Sequence, residues 1–203
     1  MKAKKRNTIL GGLLVFLLAL PLLSLDITPS RDPADPNLFQ FVRIRYNSYG
    51  SFGLFRMGNG PPWMHDYPRA EKNFLKILME VTEVETTPDS YLILTFDDPR
   101  ILEYPFLYVS EPGYWNITEE EIKNLREYFN RGGFIVFDDF RGYEEMNNLR
   151  SAMAAIFPDR TWRELSLDDA VFHCFYDIES LDFEPPYMLV PELPKFLGLS
   201  LIH

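Results

Sequence analysis

The sequence predicts an α/β fold with a doubly wound, mostly parallel sheet. Three observations predict it: apolar runs of strand length, amphipathic segments of helical period between them, and glycines or prolines at the boundaries. Strands that alternate with helices along a chain usually pair in parallel through right-handed crossovers. At 203 residues, of which 46% are hydrophobic, the chain is long enough for one domain with a complete core.

The first half of the predicted domain contains three strands and one helix. Residues 39–46 alternate between apolar and polar side chains, which is typical of a strand. A helix is expected to begin at Asp66 as its cap, with Pro68 in its first turn. The side chains expected to face inward recur at helical spacing: Ala70, Phe74, Ile77, Leu78 and Val81. The apolar runs 91–96 and 106–109 follow as strands covered on both faces.

The second half contains two helices around one strand. Thr118 and Glu121 form the pattern of a capping box, and Gly132 lies where that helix should end. Residues 134–137 follow at once as a buried strand that resembles the central strand of a sheet. The next helix is expected to turn four side chains inward: Met146, Leu149, Met153 and Ile156.

The N-terminal segment predicts export. Residues 2–6 are mostly basic and residues 9–23 form an apolar run, the order of a secretory signal. No clear cleavage site follows, so an uncleaved membrane anchor is an equal alternative. A buried core helix would not explain the basic residues. We therefore expect a signal peptide or N-terminal membrane anchor at 1–25, a linker at 26–37, and an α/β domain at 38–198 that is periplasmic or otherwise extracytoplasmic.

Charge and cysteine content exclude two classes of function. The net charge of −10 repels phosphate backbones, so nucleic-acid binding is not expected. The single cysteine, Cys174, excludes an internal disulfide and a cysteine-based zinc site. It is expected to be a small buried residue of a strand.

The candidate catalytic residues lie where predicted strands end. Ligands bind beyond the carboxyl ends of parallel strands, which selects Asp97-Asp98 and, with preference, Asp138-Asp139. Adjacent carboxylates at a strand end point in different directions, so one could face the cleft while the other caps the next helix. We take Asp138, Asp139 and His173 as catalytic candidates. Helix capping and loop solvation are the structural alternative for the aspartates.

Two aromatic clusters supply candidate ligand-binding residues. The first surrounds His65 at a helix start, where a capping role for its aspartate is the alternative. The second surrounds His173, which is expected to lie in a strand and to be packed against its neighbours unless it is a ligand. The candidate ligand-binding residues are Trp63, Asp66, Tyr67, Arg141 and Tyr176.

A metal site is an alternative that the sequence does not favour. Asp66, Asp138, Asp139 and a histidine could together bind a divalent cation, but none of their spacings is diagnostic of a metal site. We predict no cofactor and no metal ligand.

Five motifs occur in an order that is typical of a known family. They are residues 41–46, Trp63 with residues 66–68, residues 104–108, residues 132–134 with 138–140, and His173 with residues 175–176. They resemble the domain of unknown function 4159 family. The resemblance implies a class I glutamine amidotransferase-like fold with flavodoxin-like layering, and it implies no activity.

The same resemblance argues against glutamine hydrolysis. In amidotransferases a cysteine nucleophile lies on the turn after the strand that corresponds to residues 134–137. The turn here, residues 138–142, contains neither cysteine nor serine.

We expect the natural protein to diverge from this chain at or before Leu199. Residues 199–203 resemble the translation of a sequencing adapter, so we expect them to be an artefact and the domain to be C-terminally truncated.

Three functional hypotheses follow. The first is a non-catalytic ligand-binding or interaction module of the envelope, with an unknown ligand or an envelope protein as partner and the membrane contacted through the N-terminal segment. The second is a hydrolase-type enzyme that uses an Asp/His site, with or without a divalent cation. The third is a purely structural domain.

Overall fold

The computed structural model describes residues 37–48, 60–174, 176–182 and 195–199. The predicted signal or anchor lies outside the described residues, as do all but the last residue of the predicted linker and all but Leu199 of the suspected artefact. Among the described residues, no helix is both long and apolar enough to cross a membrane. The elements are β1 (Phe41–Ile44), α1 (Arg69–Val81), β2 (Tyr91–Leu94), β3 (Phe106–Ser110), α2 (Glu119–Asn130), β4 (Phe134–Asp138), α3 (Gly142–Ile156), β5 (Arg163–Glu164) and β6 (Leu197–Gly198).

Four of the strands form an all-parallel sheet in the order β2-β1-β3-β4. With its flanking helices, this sheet confirms the predicted α/β, doubly wound fold. The chain moves from β1 to β2 on one side and from β3 to β4 on the other, so β1 and β3 mark the point where the strand order reverses. Ligands of open α/β sheets bind beyond the carboxyl ends of the strands at such a point. The narrower flavodoxin-like or amidotransferase-like assignment stays a prediction.

One face of the sheet carries the larger apolar core. Val42 and Ile44 of β1 and Leu107 and Val109 of β3 are fully buried there. They belong to one cluster with the buried side chains of α2 and α3: Leu125, Tyr128, Leu149, Ala152, Met153 and Ile156. The predicted inward positions of α3 are confirmed at Leu149, Met153 and Ile156, while Met146 is half-buried.

The other face of the sheet packs against α1 and contains a buried ion pair. The ring of Phe74 lies 5.2 Å from that of Phe41 and 5.5 Å from that of Phe106, centroid to centroid. Beside these rings, the Arg43 guanidinium binds the Glu71 carboxylate, and both side chains are 0% exposed. Two charges buried together stabilise each other, and either one left alone would be strongly destabilising.

The predicted cap of α1 is wrong. The N-cap residue is Pro68, and the Asp66 side chain makes no capping bond. Asp66 instead has a left-handed backbone, with φ at 59°, and its carboxylate pairs with Arg69.

The predicted inward face of α1 is only partly correct. Phe74 packs against the rings of Phe41 and Phe106, and Ala70, Leu78 and Val81 are half-buried. The buried residues are Glu71 and Leu75, whereas Phe74 and Ile77 are 37% and 57% exposed. Because Arg43 projects from the sheet, its partner Glu71 must face inward, and the apolar period of the helix cannot reveal this.

The boundaries of α2 follow the sequence. Thr118 and Glu121 form both bonds of the capping box, which confirms that prediction. Gly132 follows the helix with φ at 87°, a conformation that glycine adopts without strain.

The predicted central position of the strand at 134–137 is wrong for the described sheet, where β4 is an outer strand. Its first residue, Phe134, is 56% exposed. A continuous apolar run predicts burial on both faces, but it does not reveal how many neighbours a strand has.

The predicted strand around His173 is wrong. Residues Ala170–Phe172 form a short 3-10 helix and His173 follows it directly. The Asp169 side chain organises this segment, since it accepts hydrogen bonds from Arg163 and from the Ser166 N–H. Cys174, expected to be buried, is exposed.

Candidate functional site

Three titratable side chains from separate segments meet at the carboxyl edge of the sheet. His65 precedes α1, Glu111 follows β3 directly, and Asp139 follows β4 directly. One nitrogen or oxygen atom of each lies within 4.8 Å of the other two. His65 Nδ1 is 2.7 Å from Asp139 Oδ2. This group, the His65/Glu111/Asp139 cluster, lies at the end of β3, one of the two strands where the strand order reverses.

Glu111 is held rigidly in the cluster. It is only 2% exposed, and its backbone is left-handed with φ at 49°. Its N–H donates to the Asp138 carbonyl at 2.8 Å, and the Tyr46 hydroxyl donates to the carbonyls of Ser110 and Glu111. Burial, with the Glu111 carboxylate nearby, raises the pKa of Tyr46 well above its usual value, so this hydroxyl keeps its proton.

The loop after Glu111 also packs tightly against α3. A Cβ atom added at Gly113 would lie 2.3 Å from the Cβ of Glu145. Only glycine allows this approach, which brings the end of β3 next to the start of α3.

Asp139 presents one carboxylate oxygen to His65 and the other to an arginine. Its φ is 54°, and Arg141 Nη2 donates to Oδ1 at 2.6 Å. Its neighbour Asp138 accepts a hydrogen bond from the Tyr108 hydroxyl at 2.7 Å. The two carboxylates therefore have different partners. Neither caps α3, whose N-cap residue, Arg141, has no side-chain capping bond.

His65 is positioned from inside the core. Arg43 Nη1 donates to the carbonyl of Trp63 at 2.9 Å and to that of His65 at 3.1 Å. The same guanidinium lies 4.9 Å from the centroid of the Tyr108 ring. Because the buried pair with Glu71 fixes Arg43, it also fixes the backbone that carries His65.

The ligand-binding candidates that the sequence places around His65 are Trp63, Asp66 and Tyr67, and they surround this backbone. Trp63 is 6% exposed and forms part of the core. The Asp66 carboxylate lies 3.7 Å from His65 Nδ1. The Tyr67 ring packs at 6.1 Å against that of Tyr91. These residues lie near the cluster, with Trp63 and Tyr67 in packing roles.

The structure does not bring His173 to Asp138 or Asp139 among its recorded contacts. Its Nε2 lies 2.6 Å from the Leu167 carbonyl and its Nδ1 lies 3.3 Å from Asp177 Oδ1. Tyr176 is 63% exposed. Within the described residues, both belong to the later segment and not to the His65/Glu111/Asp139 cluster.

The cluster has the donor set of a cation site. It offers one imidazole nitrogen and two carboxylate oxygens. Ligand atoms about 2.0–2.2 Å from a shared ion lie roughly 3 to 4 Å from one another. A cation bound by His65 Nδ1 and Asp139 Oδ2 would therefore lengthen their 2.7 Å contact slightly and draw the Glu111 carboxylate closer. Three protein ligands leave further coordination positions open, as catalytic and ligand-binding metal sites do.

Sequence reasoning missed Glu111, although a signal existed. The rule that selected aspartates at strand ends also selects an acidic residue at the end of the strand near 106–109. No pattern indicated the pairing of Arg43 with Glu71, because both side chains lie in otherwise amphipathic segments.

Comparison with known proteins gives a family and no activity. A search of curated proteins found no match to this chain. The family model described as a domain of unknown function, DUF4159, matches residues 40–191, which cover most of the chain and all three residues of the cluster. The chain therefore belongs to the DUF4159 family.

Proposed function

We propose that this domain is a ligand-binding module with a divalent-cation centre formed by His65, Glu111 and Asp139. The observation that carries the proposal is the convergence of three ligand atoms, from three separate segments, within 4.8 Å of one another. Glu111 is almost fully buried, and a buried carboxylate requires compensation by a proton, a partner or a cation.

The donor chemistry selects the kind of cation. Imidazole nitrogen suits zinc, iron and other transition metals, whereas Mg²⁺ and Ca²⁺ prefer all-oxygen sites. A mixed set of one nitrogen and two oxygens therefore favours Zn²⁺, Fe²⁺ or Mn²⁺. The open coordination positions would accept oxygen atoms of a bound ligand, so the cation would link the ligand to the protein.

The test is a thermal-shift titration of the full chain with Mn²⁺ and Zn²⁺ after treatment with a chelator. An ion at 100 times its dissociation constant should stabilise the folded state by about 2.7 kcal/mol, which raises the melting temperature by several degrees. Glu111→Gln should remove this shift. The matched control is Asp177→Asn, which removes a carboxylate beside the other described histidine and should leave the shift unchanged.

Two results would contradict the proposal. One is the absence of any shift with either ion. The other is a shift of equal size in the wild type and in Glu111→Gln, which would place the ion elsewhere.

A second candidate function is a hydrolase, and the 2.7 Å contact between His65 and Asp139 favours it. A carboxylate that accepts a hydrogen bond from Nδ1–H orients the imidazole and leaves Nε2 available as a general base. A panel of nitrophenyl esters and phosphates would test for turnover. Activity that survives chelation and is lost in Asp139→Asn, with the melting temperature unchanged, would favour the hydrolase over the binding module.

We also propose that the N-terminal segment exports the domain. The basic residues before the apolar run at 9–23 support this. Residues 1–37 fused to a reporter that is active only outside the cytoplasm should give activity, and Lys-to-Glu changes at positions 2, 4 and 5 should lower it. The N-terminal sequence of the exported product would separate a cleaved signal from an anchor.

A further inference from the structure

A cavity of about 520 Å³ opens at the carboxyl edge of the sheet, on the side of β1 and β2. Arg45 and Asn47 line it from the segment after β1, and Thr95 and Asp97 from the segment after β2. Its volume falls in the range of about 300–1,000 Å³ that small-molecule sites occupy. None of the three residues of the His65/Glu111/Asp139 cluster lines it, so its chemistry can be considered separately.

The residues of the inner walls of the cavity are buried or hydrogen-bonded within the domain. Tyr46 and Trp63 are 4% and 6% exposed, and the Tyr46 hydroxyl is bonded to backbone carbonyls. Thr118 and Glu121, at the start of α2, bond each other in the capping box. These four residues shape the cavity and leave little polar capacity for a ligand.

Arg45 and Asp97 differ from these walls because their charges are available. In the described part of the chain neither side chain has a recorded hydrogen bond or ion pair, and the two do not pair with each other. The next acid, Asp98, behaves differently: it binds Arg100 at 2.5 Å, and this arginine lowers the pKa of Asp98. Arg100 is therefore paired with Asp98, whereas Arg45 and Asp97 both line the cavity and have no partner among the described residues.

We propose that this cavity binds a zwitterionic ligand, a short peptide with a free amino group and a free carboxylate. The Arg45 guanidinium would receive the carboxylate as a fork of two N–H donors, and the Asp97 carboxylate would receive the ammonium. Asn47 and Thr95, which also lack recorded side-chain partners among the described residues, would bind the peptide amide.

The charge of the cavity disfavours the other classes of ligand. In the cavity a polyanion would be attracted by one arginine and repelled by Asp97 and Glu121, and the chain as a whole has a net charge of −10. An apolar ligand would leave the charged groups of the cavity desolvated without partners. A single amino acid would fill only a fraction of about 520 Å³, whereas a peptide of two or three residues fits it better.

The test is a calorimetric and thermal-shift screen of the full chain, run both with a chelator and with added Mn²⁺. The probes are free dipeptides with acidic, basic, aliphatic and aromatic side chains, the same dipeptides with acetylated or amidated ends, and neutral mono- and disaccharides. We expect at least one free dipeptide to bind. Acetylating its amino group or amidating its carboxylate should lower the affinity about 10-fold or more, because a charged hydrogen-bonded pair is lost.

Variants and capped probes together identify the contacts. Arg45→Gln should lower the affinity for a free dipeptide about 10-fold but should not lower the affinity for its amidated form any further. Asp97→Asn should likewise lower the affinity for the free dipeptide but not the affinity for its acetylated form. Arg131→Gln and Asp177→Asn, which change charges outside the cavity, are the matched controls and should bind like the wild type.

Three results would overturn the inference. They are no binding by any free dipeptide, equal binding of free and capped dipeptides, and binding of saccharides in place of dipeptides. Dipeptide binding in the presence of the chelator would support the cavity even if the cation centre failed its own test, because the two sites use different residues.

Discussion

Two histidine–carboxylate pairs in this domain have similar chemistry but are held in different ways. His65 lies 2.7 Å from Asp139, a residue from a distant part of the chain, and Glu111 completes the cluster. His173 lies 3.3 Å from Asp177, four residues further along, and the Asp177 side chain is 91% exposed. The first pair is supported by the core, because buried Arg43 donates to the His65 carbonyl. The second pair forms within one short segment at the surface.

The difference teaches that the topology of the sheet, and not the proximity of residues in sequence, assembles a site. Parallel strands bring their carboxyl ends to one edge, so residues after β3 and β4 meet the segment that begins α1. A pair four residues apart forms in almost any turn and is worth little on an exposed surface. Among the described residues, only the first pair has a third, buried ligand group beside it, the Glu111 carboxylate.

The largest expected effect concerns the buried support of the first pair. Glu71→Gln leaves the Arg43 charge uncompensated in the core, so we expect it to lower the free energy of unfolding by about 3–5 kcal/mol. Asp177→Asn, at the second pair, should change it by less than about 0.5 kcal/mol. Chemical denaturation at pH 7 measures both.

The double variant Arg43→Met with Glu71→Leu separates the effect of the buried charges on stability from their effect on the position of His65. Removing both charges should restore much of the stability. Cation affinity should still fall about 10-fold or more, because the carbonyls of Trp63 and His65 lose their donor. A folded double variant with wild-type cation affinity would show that Arg43 does not position His65.

The next prediction concerns how the free energy of unfolding depends on pH, which should differ between the two regions. Tyr46 supports the Glu111 backbone, and burial raises its pKa above the unfolded value of about 10. The stability it contributes is therefore fully present below pH 10 and is lost as pH rises above it. Tyr46→Phe should reduce the alkaline slope of the free energy of unfolding by about 1.4 kcal/mol per pH unit.

Tyr176→Phe is the matched control for this pH series. Tyr176 is an exposed residue of the second region, so its replacement should leave the alkaline slope unchanged. Equal slopes for the wild type and Tyr46→Phe between pH 10 and 11 would show that this hydroxyl does not couple to folding.

The smallest effect concerns the arginine beside Asp139. Arg141→Gln removes a positive charge that competes with a cation, and the Arg141 side chain is 46% exposed. We expect cation affinity to rise by up to about five-fold at low ionic strength and the gain to shrink at high salt. Arg163→Gln, which frees Asp169 near the second pair, should leave the affinity unchanged. A loss of affinity in Arg141→Gln would mean that Arg141 orients Asp139.

The sequence predicted the fold better than the site. The capping box at Thr118 and the aspartates after β4 follow from local patterns, and so does the alternation of strands and helices. The edge position of β4 depends on its neighbours, which a local pattern does not contain. Likewise, Glu71 faces inward only because Arg43 lies opposite it in the folded state.

The choice of histidine shows the same limit. The sequence offers His173 as a catalytic candidate and predicts a strand around it, but residues Ala170–Phe172 form a short 3-10 helix, and the Asp169 side chain accepts from the Ser166 N–H beside it. His65 was part of a predicted cluster at a helix start, and no sequence pattern indicated its contact with Asp139. Contacts between segments that are far apart in the chain depend on the complete topology.

The most direct test of the cation centre is paramagnetic broadening of histidine resonances by Mn²⁺. The chain contains three histidines, so their imidazole signals can be assigned by single substitutions. We predict that substoichiometric Mn²⁺ broadens the His65 signals first, that those of His173 stay sharp, and that Glu111→Gln abolishes the difference. Broadening of His173 before His65, or of all three histidines together, would contradict the cation centre at the His65/Glu111/Asp139 cluster.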